Sequence, residues 1–164
     1  MAKTLSITPL TALAFSPYGD VIEMDNAERI PINQGTTTRF HDLANVELND
    51  VGGKPIISIF ESQPRPLPLK LEVMERHPLG SQAFYPLQDR EWLIVVSSGN
   101  NPLNIENLKA FRATGQQGIN YATNVWHHPL LVMDADSRFL VVDRKGPGSN
   151  LEEREFVTDI CLEI

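Results

Sequence analysis

The stretch Glu75-Arg76-His77-Pro78-Leu79-Gly80-Ser81-Gln82-Ala83-Phe84-Tyr85 carries the decisive pattern of this chain. Side chains alternate with period two along a strand, so Glu75 and His77 point to one face and share whatever lies there. Pro78 and Gly80 break the strand at a turn. Gln82 then opens a second strand and brings a third polar group back to the same face. A second segment, Gly118-Ile119-Asn120-Tyr121-Ala122-Thr123-Asn124-Val125-Trp126-His127-His128-Pro129, again sets imidazole beside a turn. In an extended chain His127 and His128 point oppositely, and His127 is read as the internal one.

Working outward, 12 prolines and 10 glycines repeatedly interrupt short β-branched or aromatic runs. That is the pattern of an all-β sandwich or barrel. Strands are expected at 6–9, 19–23, 36–42, 56–61, 70–76, 82–87, 92–97, 118–121, 130–133, 139–143 and 155–160. Only Leu10–Phe15 and Ile105–Arg112 read as helical, the latter with Asn104 as N-cap. Gln63–Leu69, with proline at alternating positions, runs extended and is read as wrapping a barrel rim. Asp143–Asn150 reads as a flexible surface loop with Gly-Pro-Gly, placed to act as a lid. The acidic run Leu151–Glu155 reads as a solvated face.

At 164 residues the chain is expected to form a single domain, 1–164, with a core of its own. Its formal charge of −7 argues against nucleic acid as a partner. The N-terminus offers no continuous apolar segment of a signal peptide, and no apolar run is long enough to span a bilayer. A soluble, cytoplasmic protein is expected. Cys161 is the single cysteine. It excludes an intrachain disulfide and reads as a buried strand residue.

The spacing Glu75-x-His77-x4-Gln82, followed by a turn and His127, resembles the two motifs of the cupin barrels, His-x-His-x3–4-Glu and Pro-x-Gly-x2-His. Glu75 stands at the first His position, His77 at the second, Gln82 at the Glu and His127 at the late His. Asn124 takes the glycine position, an exchange that a left-handed turn tolerates. The strings NQGTTTRFHDLA (33–44), ERHPLGSQAFYPL (75–87) and NYATNVWHHPL (120–130) together resemble the ureidoglycolate lyase family. The resemblance implies an all-β, cupin-type barrel, jelly-roll-like and antiparallel, with one or two short helices. It also implies a homodimer, a divalent metal with nickel the suggested ion, and cleavage of ureidoglycolate into glyoxylate and urea, a step of allantoin and purine breakdown.

Ureidoglycolate is a hemiaminal bearing a carboxylate. Its cleavage removes the hydroxyl proton, breaks the carbon–nitrogen bond and protonates the departing urea, for which one base and one acid suffice. Neutral imidazole suits the base, which points to His77 or His127. Glu75 either orients that imidazole or, if burial raises its pKa, donates to the urea nitrogen. The substrate carboxylate calls for a cation, and Arg39, Lys70 and Arg76 are the candidates, with Arg65 also near the matched strings. His41 shares a face with Arg39 if TRFHD is a strand. Gln82, Tyr121 and Trp126 complete the substrate-binding set. As a metal set, Glu75, His77, Gln82 and His127 offer two imidazoles and two oxygens to a divalent transition metal. Two rivals remain: hydrolysis of the ureido group with release of ammonia and carbon dioxide, and a non-catalytic cupin binding a small carboxylic acid.

Overall fold

A computed structural model describes residues 2–49 and 52–164. The run Trp92–Ser97 is buried at every position. Such a continuous apolar strand requires cover on both faces, and the architecture is arranged around it. The strands are β1 (Lys3–Pro9), β2 (Gly19–Ile22), β3 (Glu28–Ile32), β4 (Thr37–His41), β5 (Lys54–Ser62), β6 (Val73–Arg76), β7 (Gln82–Pro86), β8 (Trp92–Ser97), β9 (Leu108–Ala113), β10 (Gly118–Tyr121), β11 (Trp126–His127), β12 (Leu131–Val132), β13 (Ser137–Lys145), β14 (Glu152–Glu155) and β15 (Ile160–Glu163). One short helix, α1 (Ala12–Phe15), is capped by the Thr11 hydroxyl, which accepts from the Ala14 amide.

The first sheet runs β14-β6-β11-β8-β9-β1-β15, with β12 also paired to β8. The second runs β2-β10-β7-β13-β5. Their facing sides enclose a core that includes Phe15, Val21, Phe84, Trp92, Ile94, Phe111, Ile119, Tyr121 and Val141. The first sheet's other side buries a second cluster, with Leu71, Met74, Leu93, Val95, Trp126, Ile160 and Leu162. The two sheets curl over the enclosed core as a β-barrel with short helices, consistent with the cupin-type barrel that the resemblance implies. Its ladders are antiparallel except that β1 pairs in parallel with both β9 and β15. β3 and β4 form a separate two-stranded hairpin.

Several sequence expectations need correction. Ile105–Arg112 is not a helix: a single 3-10 turn covers Ile105–Asn107, and Leu108–Ala113 is strand β9. Leu108 and Ala110 enter the outer cluster while Phe111 and Ala113 enter the barrel core, a period-two division that a helix could not deliver. Of the strand expected at 155–160, Glu155 ends β14 and Ile160 opens β15, and 156–159 form the connector between them. The acidic run at 151–155, read as a solvated face, is mostly exposed as expected, and 152–155 of it form strand β14, paired to β6. Strand β13 extends through Lys145, so the expected lid begins only at Gly146. Cys161 is on a strand but faces away from the flanking core residues Ile160 and Leu162, and it is half-buried.

Candidate active site

Register brings the cluster together. His127 lies directly across from Glu75 on one side and Val96 on the other, and cross-strand partners share a face. Val96 belongs to the barrel core, so Glu75 and His127 point inward. His77 follows the end of β6 on the same side. The left-handed Asn124, at φ 69°, turns the chain ahead of β11, and its amide donates to the His77 carbonyl at 3.0 Å. Asparagine therefore does at this turn what the motif's glycine does.

Both imidazoles are held through Nδ1. His127 Nδ1 lies 3.0 Å from the Val125 carbonyl oxygen and His77 Nδ1 2.8 Å from the Asn150 carbonyl oxygen. A carbonyl only accepts, so each Nδ1 carries the hydrogen and each Nε2 is turned toward the interior. Those two Nε2 atoms are buried without hydrogen-bond partners. They converge on one Glu75 oxygen, 3.3 Å from His127 Nε2 and 3.9 Å from His77 Nε2. Ligand atoms of all three residues lie within 4.8 Å of one another. Two imidazole nitrogens and one carboxyl group facing a common point fit a divalent transition metal.

Burial pushes the Glu75 carboxyl up, but His127 and then His77 outweigh it, and the net pKa falls below the ordinary carboxylate value. The expected rise does not occur: the shift is downward, which favours the ionised form of Glu75. The Tyr121 ring stacks on His127 at 3.9 Å between centroids and 12° between planes. Burial, helped by Glu75, raises the Tyr121 phenol well above its usual range, so its hydroxyl stays protonated. Gln82 lies across from Tyr121 on the second sheet. Its Nε2 donates to Asp143 Oδ2 at 3.2 Å, while its Oε1 is buried without a partner.

The structure thus gathers Glu75, His77 and His127 at one point, with Tyr121 against them and Gln82 on the opposing sheet. It does not bring the other expected residues there. Arg76 points from the opposite face of β6, stacks over Trp126 at 4.7 Å and pairs with Glu152 at 2.6 Å. Trp126, one residue before His127, packs in the outer cluster. Lys70 pairs with Asp159 at 3.2 Å. Arg39 and His41 ride on the hairpin and line a groove with Ala83, Asn120 and Val142, on the outer side of the second sheet. His128 is buried, donates through Nδ1 to the Pro129 carbonyl and accepts from the Glu72 amide. Burial lowers its pKa to about 4, which keeps it neutral and structural.

Two contributors escaped the sequence reading. Asp143 continues the inward alternation Phe139, Val141, Asp143, and that periodicity was the available signal. Asn150 fixes His77 through its backbone oxygen and the Leu79 amide through its side chain, and no local pattern announces it. Instead of hanging free, the chain after β13 is tied to the site.

A family model described as ureidoglycolate lyase matches residues 2–163. A ureidoglycolate lyase of Burkholderia mallei (strain NCTC 10229) is 52% identical over 160 residues, covering 98% of this chain and 94% of that protein. Ureidoglycolate lyase 1 of Rhizobium meliloti (strain 1021) is 54% identical over 155 residues, covering 93% and 89%. Another, from Rhizobium etli (strain CIAT 652), is 50% identical over 164 residues, covering 99% and 97%. With Glu75, His77 and His127 drawn to one interior point and this likeness running from end to end, the chain belongs to the ureidoglycolate lyase family.

Proposed function

We propose that this protein is a ureidoglycolate lyase, splitting the hemiaminal of ureidoglycolate into glyoxylate and urea. The observation that carries the reading is the meeting of Glu75, His77 and His127 inside the barrel, with both Nε2 atoms buried and without hydrogen-bond partners among the described residues. The reaction moves one proton from the hydroxyl oxygen to the urea nitrogen as the carbon–nitrogen bond breaks, so it needs no co-reactant. Glu75, His77 and His127 would hold a divalent ion, for which nickel is our choice. When bound, such an ion supplies Lewis-acid polarisation of the substrate oxygen. The backbone oxygens of Val125 and Asn150 fix the imidazole tautomers, and Tyr121 fixes the plane of His127. Gln82, oriented by Asp143, faces the substrate from the other wall.

A metal-free reading rests on the 3.3 Å approach of His127 to Glu75. The neutral imidazole takes the hydroxyl proton at Nε2, Glu75 stabilises the resulting imidazolium, and the proton returns to the departing nitrogen. We further propose a cytoplasmic location, in keeping with the described helices, none of which is long and apolar enough to cross a membrane.

One assay tests these statements. Purified protein is incubated with racemic ureidoglycolate before and after chelation, and glyoxylate, urea and ammonia are measured against spontaneous decay. Equal glyoxylate and urea without ammonia is the expected result. Ammonia in place of urea would identify an amidohydrolase, and no rate above background a binding protein. Loss on chelation with recovery on added nickel assigns the triad to metal. An unchanged rate in the metal-depleted protein assigns it to direct proton transfer.

A further inference from the structure

The interior of the second sheet is built in layers that can be read from the register. Val141 lies across from Ser58 and from Phe84, which in turn faces Ile119. The next layer holds Ile56 opposite Asp143, Gln82 bonded to Asp143, and Tyr121 opposite Gln82. Two residues further along each strand, Lys145 lies directly across from Lys54. Same-face residues recur every second position, so both lysines project from the inward side, about 7 Å beyond the Asp143–Ile56 layer. In the chain preceding β7, Gly80 packs against Arg144, where a Cβ would stand 3.1 Å from the Arg144 Cβ. His77 and the segment held by Asn150 border the same end of the barrel.

Glu75 and Asp143 are acidic residue types on the inward faces of the two sheets, so the two lysines at the rim are the positive groups placed to pair with a substrate carboxylate. Arg76 and Lys70 answer to Glu152 and Asp159 on other surfaces, and Arg39 lies behind the second sheet. We propose that Lys145, assisted by Lys54, receives the substrate's carboxylate at the barrel rim and so selects α-carboxylate hemiaminals over neutral ones. The assignment rests on the lyase reading. Flexible ammonium groups at the mouth suit an anion that must enter and leave on every turnover.

The experiment compares wild type, Lys145→Met, Lys54→Met and Lys145→Arg on two substrates. One is ureidoglycolate. The other is N-(hydroxymethyl)urea, which has the same hemiaminal and urea but no carboxylate. Lys145→Met should lower kcat/KM for ureidoglycolate by about 10- to 100-fold, as expected for loss of a charge-assisted contact, chiefly through KM. It should leave the neutral substrate unchanged, Lys145→Arg should recover most of the loss, and Lys54→Met should give a smaller loss of the same kind. Equal loss on both substrates, or no loss on either, overturns the assignment. Glycolate binding, followed by NMR titration, gives a readout independent of turnover: a wild-type affinity unchanged in Lys145→Met also overturns it. A wild-type protein that yields no glyoxylate and urea defeats the lyase reading alone, and the glycolate titration still decides the lysines.

Discussion

His127 and His128 are adjacent and chemically identical, yet the pleat gives them opposite work. His127 turns into the barrel and keeps its Nε2 unpartnered, while His128 turns outward, spends both nitrogens on backbone groups and is kept neutral by burial. A His127→Ala variant should therefore lose turnover by about 10²-fold or more, the usual worth of a positioned proton-transfer group, with its fold intact by circular dichroism. Retained wild-type turnover would remove His127 from the chemistry. The same alternation explains what was legible. The meeting of Glu75, His77 and His127 was legible because period two puts Glu75 and His77 on one face and the resemblance to the cupin motifs joins His127 to them. Arg76 and Trp126 each sit one residue from a member of the triad, and period two sends them to the far side, where they stack on each other. Proximity in sequence to a site residue is thus evidence against sharing its face. Asp143 was harder to find because its partner Gln82 is brought near only by the pairing of β13 with β7.

Strands act as levers on the site as well as walls. Strand β2 pairs with β10, and Gly19 lies directly across from Tyr121, whose ring steadies His127. Gly19 has φ +146°, and a Cβ there would fall 1.8 Å from the Asn120 carbonyl oxygen. Alanine would have to push β2 away from β10. Gly19→Ala should lower the melting temperature by about 5–10 °C, a cost of ~2–3 kcal/mol for backbone strain in a chain of this size. It should also lower kcat as Tyr121 shifts, so paired melting and rate measurements check both links. An unchanged melting temperature would mean that the close approach does not constrain β2. Strand type was readable where runs were short and bounded, as at Trp92–Ser97 and Gly118–Tyr121. It was misread at Leu108–Ala113, where both faces are buried and apolar content no longer distinguishes periods of two and 3.6. Strand β3 was missed because Pro31 reads as a breaker, although an isolated hairpin is where a strand accepts proline.

At the scale of the molecule, the second sheet is left open on its outer side by the described residues along β5 and the neighbouring part of β13. Its outer face carries Ile57, Ile59 and Leu140, exposed by 73%, 63% and 37%, and Ile59 lies directly across from Leu140. These residues stand on or beside β5, the last strand of that sheet. A long apolar edge strand left open invites further pairing or aggregation, and natural chains commonly guard such edges with charge. The nearby β3–β4 hairpin is a two-stranded sheet, an element of marginal stability unless something packs against it. One arrangement satisfies both features: a two-fold pairing in which the outer face of each copy meets the other, the usual closed symmetry of soluble assemblies. We propose this dimer. Light scattering should then find twice the 18.4 kDa chain mass, and the double variant Ile57→Lys, Ile59→Lys should shift it to the single-chain mass. The triad lies on the inner side of the barrel, so any change of activity in that variant would report coupling through the second sheet. A wild type that remains a monomer at micromolar concentration would refute the pairing and leave the apolar face without an occupant of its own kind.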